Sequence, residues 1–206
     1  TPDAADIYTG AEFPEETLPV PSFAILDGEL NTVVIAGAES GVLALEASEA
    51  FGWPVFAEPS SRCRYGANSI VAYAAILAED EELIAKIQRV VVYGKPTLSR
   101  EVQKLIARED IELIVVNSEL NGLFNPYGNA SQIVDDLTVT GEVSSEWLAR
   151  WRVASHNWIS AQAYESGLNR RKVIELVYQA SQLDDSIVLG ASRMIREADI
   201  WAPSKA

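Results

Sequence analysis

One cysteine, one histidine and one methionine are all that 206 residues contain of those types. Cys63 alone can make neither an internal disulfide nor a thiolate metal cage. His156 alone leaves no histidine-based triad and no histidine-rich metal site. Cations are scarce as well: 16 Lys and Arg face 30 Asp and Glu, a formal net charge of −14. That balance makes nucleic acid and anionic membrane surfaces poor partners. No apolar run approaches the ~20 residues of a spanning helix. No basic stretch precedes an apolar segment, as a secretory signal requires, so a soluble cytoplasmic protein is expected. The dipeptide Gly-Asp occurs nowhere.

What is present suits one packed domain, or one domain with an appendage: 48% of residues are hydrophobic and 22% charged. Residues 1–30 hold Pro2, Pro14, Pro19 and Pro21 with little periodicity, and read as an acidic, Pro-rich linker or strap. Arg62 and Arg64 are the first cations in the chain. Thr1 in first place, and a strand–turn–helix pattern near the far end, are what a segment of a longer polypeptide would show.

From residue 32 the pattern becomes alternating strands and helices. Strands are predicted at Thr32–Ala36, Pro54–Ala57, Arg89–Tyr93, Ile111–Val116, Ile133–Val139 and Ser186–Leu189. Helices are predicted at Val42–Phe51, Ile70–Leu77, Leu83–Ile87, Ser144–Glu165 and Asn169–Gln182, the last with Val173, Leu176, Val177 and Ala180 on its apolar stripe. Residues 117–132 read as loop. Such alternation implies an α/β fold: a doubly wound, mainly parallel sheet of about six strands with helices on both faces.

The stretch RVVVYGKPTLSREVQK, Arg89 to Lys104, organises the rest. A β-branched run ends at Gly94, Pro96 sets a helical φ, and Leu98, Val102, Leu105 and Ile106 then recur at helical spacing. Ligands of open parallel sheets bind just past the carboxyl ends of the strands. Lys95 and Arg100 fall there and make a candidate anion site. Arg64, Arg193 and Arg196 also follow predicted strand ends, and guanidinium forks suit bidentate pairing with a dicarboxylate.

Other motifs carry less. Gly37-Ala38-Glu39-Ser40-Gly41 sits where a dinucleotide fingerprint would, but Glu39 would meet a pyrophosphate with negative charge. Gly94-Lys95-Pro96-Thr97 lacks the first glycine of a P-loop, and Pro96 removes a donor. Trp147, Trp151 and Trp158 form a helical stripe suited to packing, with His156 off it and exposed.

GKPTLSR (94–100), GWPVFAEPSSR (52–62) and GASRMIREAD (190–199) together resemble the MenD family, thiamine-diphosphate enzymes that act as 2-succinyl-5-enolpyruvyl-6-hydroxy-3-cyclohexene-1-carboxylate synthases in menaquinone biosynthesis. The likeness runs from about Thr32 to Trp201. It implies that residues 31–183 are the central α/β domain and 184–206 the last strand and the start of the third, cofactor-binding domain. It implies a transferase that decarboxylates 2-oxoglutarate and adds the resulting acyl carbanion equivalent to isochorismate, using thiamine diphosphate with Mg²⁺ or Mn²⁺. The family's Gly-Asp metal motif and activating Glu lie on other domains, so this chain is expected to hold no catalytic residue, no metal and no bound cofactor, and to be inactive alone. Partners implied are the missing amino- and carboxyl-terminal domains, further copies in a dimer or tetramer, and small carboxylates. By resemblance Arg100, Ser192 and Arg196 are substrate-binding, although Ala191, Arg193, Met194 and Glu197 depart from the family's GNSMPIR pattern. Arg64, Lys95 and Arg193 form a possible anion or regulator site, with Arg64 reaching the cleft of Arg100. The alternative is a free-standing Rossmann-like domain that senses a small carboxylate.

Overall fold

The computed structural model describes residues 22–117, 124–162, 167–182 and 185–204. Its strands, in chain order, are β1 (Phe23–Asp27), β2 (Thr32–Ala36), β3 (Val55–Ala57), β4 (Arg89–Tyr93), β5 (Glu112–Val116), β6 (Gln132–Val134) and β7 (Asp136–Thr140). The helices are α1 (Leu43–Phe51), α2 (Tyr73–Glu79), α3 (Glu81–Ala85), α4 (Arg100–Ile106), α5 (Ser145–Ala161), α6 (Arg170–Ala180) and α7 (Arg193–Trp201).

The runs TVVIA and RVVVY are buried at every position because they are central strands with both faces covered. Five strands pair in the order β3-β2-β4-β5-β6, all parallel. This is a doubly wound order whose direction of winding switches between β2 and β4. Side chains alternate between the faces. Val33, Ile35, Val90 and Val92 meet α2, α3, α4 and α5 on one side, where Phe56 lies against Tyr73 and Trp151. Val34, Ala36, Val91 and Ile114 meet α1 and the pair β1–β7 on the other. The tryptophan stripe packs inward: Trp147 and Trp151 are buried, and the Trp147 Nε1–H donates to the Thr32 carbonyl at 2.8 Å. His156 is exposed, as expected.

Several expectations need correction. The Pro-rich segment is not wholly a linker: residues 1–21 lie outside the described residues, but Phe23–Asp27 forms a strand, parallel to β7. The single strand expected over 133–139 is two, because the Ser22 amide and hydroxyl bind the Asp135 carboxylate and the chain leaves one sheet for another there. No strand forms over 186–189; Ile187 and Leu189 instead join Ile174, Tyr178, Ala198 and Ala202 in a small satellite core between α6 and α7. The buried face of α6 is therefore Ile174 and Tyr178, and Leu176 and Val177 of the expected stripe are exposed. The end of the helix expected to reach 165, part of the loop over 117–132 and the domain boundary at 183–184 lie outside the described residues. Among the described residues no helix is long and apolar enough to cross a membrane.

Candidate functional site

The winding switch puts the turns after β2 and β4 side by side at the carboxyl edge, where an open α/β sheet usually offers a crevice. Here the chain fills that crevice itself. Ala38 and Lys95 exchange both backbone hydrogen bonds, at 3.1 and 2.8 Å, and the Gly37 amide donates to the Tyr93 carbonyl at 2.9 Å. A Cβ at Gly37 would lie 2.0 Å from the Pro96 nitrogen, and one at Gly94 would lie 2.3 Å from the Ala38 carbonyl oxygen. The glycine of the dinucleotide-like motif serves this close approach rather than a pyrophosphate.

The backbone amides of the turn after β4 have an internal partner. Glu58, the residue after β3, is 1% exposed. Its carboxylate accepts the amides of Thr97, Leu98 and Ser99 at 3.2, 2.7 and 3.5 Å. Burial pushes this carboxyl up from its ordinary value of 4.5, against the pull of those amides. Lys95 pairs with Glu39 at 3.7 Å. Internal carboxylates thus meet the amides of this turn and the Lys95 ammonium, whereas Arg100 has no such partner among the described residues.

Arg64 also turns inward. Its Nε and Nη2 donate to the Ala202 carbonyl at 3.2 and 2.7 Å, and its Nη1 donates to the Ala57 and Asp199 carbonyls at 3.0 and 3.1 Å. A guanidinium at the C-terminal carbonyls of α7 complements the helix dipole there. The Asp199 carboxylate completes the knot, taking the Tyr73 hydroxyl and standing 3.9 Å from Arg64. Burial pushes the Tyr73 phenol well up and raises the Asp199 carboxyl. One side of Arg64 lines a polar cleft of about 550 Å³ with Arg62, Tyr65, Tyr178 and Gln182.

The three family-inferred residues lie differently. Ser192 is the N-cap of α7 and accepts the Met194 amide at 3.3 Å. Arg196 follows one turn later. A cavity of about 600 Å³ lies between Leu98, in the turn ahead of α4, and Ser192, Arg193, Arg196 and Ile200. Leu98 and the start of α7 thus share a space, although no strand leads into α7 and Arg100 is not among the residues that line it. Arg193 lines it too, but holds Glu197 at 3.2 Å. Arg100, the first residue of α4, is exposed. Among the described residues, Arg62, Arg100 and Arg196 are the Lys and Arg side chains with neither hydrogen bond nor ion pair, in a chain where acidic groups are plentiful.

No group of three or more His, Cys, Asp or Glu among the described residues could hold a metal ion, and the buried carboxylates Glu58 and Asp199 are taken up by amides, Tyr73 and Arg64. Glu58 and the inward role of Arg64 escape a sequence reading. The available signal for Glu58 was a lone acid between a buried strand and Pro59.

No family model matches the chain, but individual proteins do. It is 35% identical over 195 residues to a 2-succinyl-5-enolpyruvyl-6-hydroxy-3-cyclohexene-1-carboxylate synthase of Nocardioides sp., covering 88% of this chain and 36% of that protein. Synthases of the same name from Kineococcus radiotolerans and Leifsonia xyli subsp. xyli are 33% and 32% identical, over 98% and 85% of this chain. These matches support the synthase reading and give none to a free-standing sensor. The chain spans 36–39% of the length of these curated relatives. Over most of its length, then, the chain is MenD-like, the counterpart of about a third of such a synthase.

Proposed function

We propose that this chain is the central portion of a cytoplasmic, thiamine-diphosphate-dependent synthase that joins 2-oxoglutarate, after decarboxylation, to isochorismate. The observation that carries this reading is the 32–35% identity to synthases of that name over 85–98% of the chain. Thiamine diphosphate, with Mg²⁺ or Mn²⁺, supplies the decarboxylation chemistry when bound to other portions of the polypeptide, in a dimer or tetramer. This chain supplies position and charge. Arg100 and Arg196 offer guanidinium forks, unclaimed by any described carboxylate, to the carboxylates of the substrates. Ser192 caps the helix that carries Arg196, and Arg193 stands at the rim of the same cavity. Arg64 and Lys95, with internal partners, contribute to the shape of the edge rather than to a separate regulator site.

In the complete synthase, Arg196→Ala should remove a charge-assisted contact of about 1.5–3 kcal/mol. That is roughly a ten- to hundred-fold loss of kcat/KM for one of the two substrates. Ser192→Ala should cost less, and Arg100→Lys should recover only part of what Arg100→Ala loses, because an ammonium lacks the planar fork. Steady-state kinetics with each substrate varied in turn decides it. Unchanged kinetics in Arg196→Ala would refute the assignment.

A further inference from the structure

We infer that Glu58 is a positioning residue for the substrate site: it fixes the turn that presents Arg100, while Arg64 in the same loop fixes the helix that presents Arg196. The inference rests on the reading above, in which Arg100 and Arg196 meet substrate carboxylates.

The loop after β3 is bonded both to the turn before α4 and to the end of α7. At its start the Glu58 amide is tied to the Ala36 carbonyl at 2.9 Å, so the side chain leaves from a fixed point on the sheet. Its carboxylate gathers three consecutive amides, those of Thr97, Leu98 and Ser99. The next residue is Arg100. Since the Arg100 side chain has no partner among the described residues, its place is set by the backbone beneath it, and Glu58 holds that backbone. Six residues after Glu58, Arg64 grips the last carbonyls of α7. Loop and helix are joined again where the Ser204 hydroxyl donates to the Gly66 carbonyl at 3.1 Å.

An amide side chain cannot replace this carboxylate. Gln has one accepting oxygen, and its NH₂ would face a backbone N–H, donor against donor. Helix α4 has other ties, since Ser99 caps Val102 and the Gln103 side-chain amide donates to the Pro96 carbonyl. Removing the charge therefore shifts the turn without dissolving the helix. A displacement of about 1 Å at a positioning group can cost up to a hundred-fold.

The test is a double-mutant cycle in the complete synthase with Glu58→Gln, Arg100→Ala and the pair. The expected result is a rise in KM of about ten-fold for one substrate in Glu58→Gln, with kcat changed less, and no further rise when Glu58→Gln is added to Arg100→Ala. Independent, multiplying effects would overturn the inference while leaving the substrate reading intact. Wild-type kinetics in Arg100→Ala would overturn both. Should Glu58→Gln not fold, the same cycle is read on Glu58→Asp, which keeps the charge and draws it back by one methylene. Equal KM in wild type and Glu58→Asp would then overturn the inference.

Discussion

Two buried carboxyls, Glu58 and Asp199, tie the carboxyl edge of the sheet to its surroundings. Burial is the largest influence on each, and it raises both from ordinary values of 4.5 and 3.8. The folded chain therefore holds these protons more tightly than the unfolded chain does. The stability they contribute is complete below about pH 4 and is lost as pH rises through the raised folded-state values. Glu58→Gln removes one such group, so its cost in melting temperature should be larger near pH 4 than near pH 7. Thermal unfolding of the two proteins at both pH values checks this. The reverse order would mean that the three turn amides outweigh burial and hold Glu58 charged. Tryptophans differ in the same local way. The Trp147 ring N–H has the Thr32 carbonyl, whereas those of Trp53 and Trp151 are buried without a partner, so the latter two serve by their bulk.

Among the elements, the interlocked turns after β2 and β4 are the tightest feature. Gly37→Ala would drive a methyl into the Lys95–Pro96 backbone, and Gly94→Ala would meet the Ala38 carbonyl with φ at +67°. Each should cost more than about 3 kcal/mol, since neither neighbour is a side chain that can turn away. Gly41→Ala, with φ at +62° and nothing within 4 Å, should cost only about 1 kcal/mol of backbone strain. Denaturant unfolding of the three variants measures the difference, and equal losses would sink the close-approach argument. The central strands were legible because an unbroken β-branched run can only be buried on both faces, and 32–36 and 89–93 come out as read. Strand β1 was not, because Phe23 and Ile25 on its outward side are as apolar as Ala24 and Leu26 on its inward side, and no alternation betrays it. The residues 186–189 have strand composition but no neighbour to pair with. In the site, the space between Leu98 and the start of α7 did not follow from topology, because the strand expected to lead into α7 does not form. Nor did the partners of Arg64, because Asp199 and Ala202 stand 135 and 138 residues away from it.

The described residues form a parallel sheet with a satellite core, and among them no group of three or more His, Cys, Asp or Glu could hold a metal ion. Calorimetric titration of this chain with thiamine diphosphate and Mg²⁺ should accordingly show no saturable heat at micromolar concentration. Tight, metal-dependent binding would move the cofactor site onto this chain. The pairing of β1 with β7 bears on how the molecule comes to exist. Ser22 meets Asp135 across 113 residues, so β1 closes a long loop, and the entropy of that closure is lost before any contact compensates it. The five-stranded sheet grows from shorter connections and can form while β1 waits. During synthesis β1 leaves the ribosome before β7, the strand it pairs with, and until β7 follows Val34 and Ala36 lack part of their cover. For β1, unlike the strands of the larger sheet, an early place in the chain means a late place in the fold.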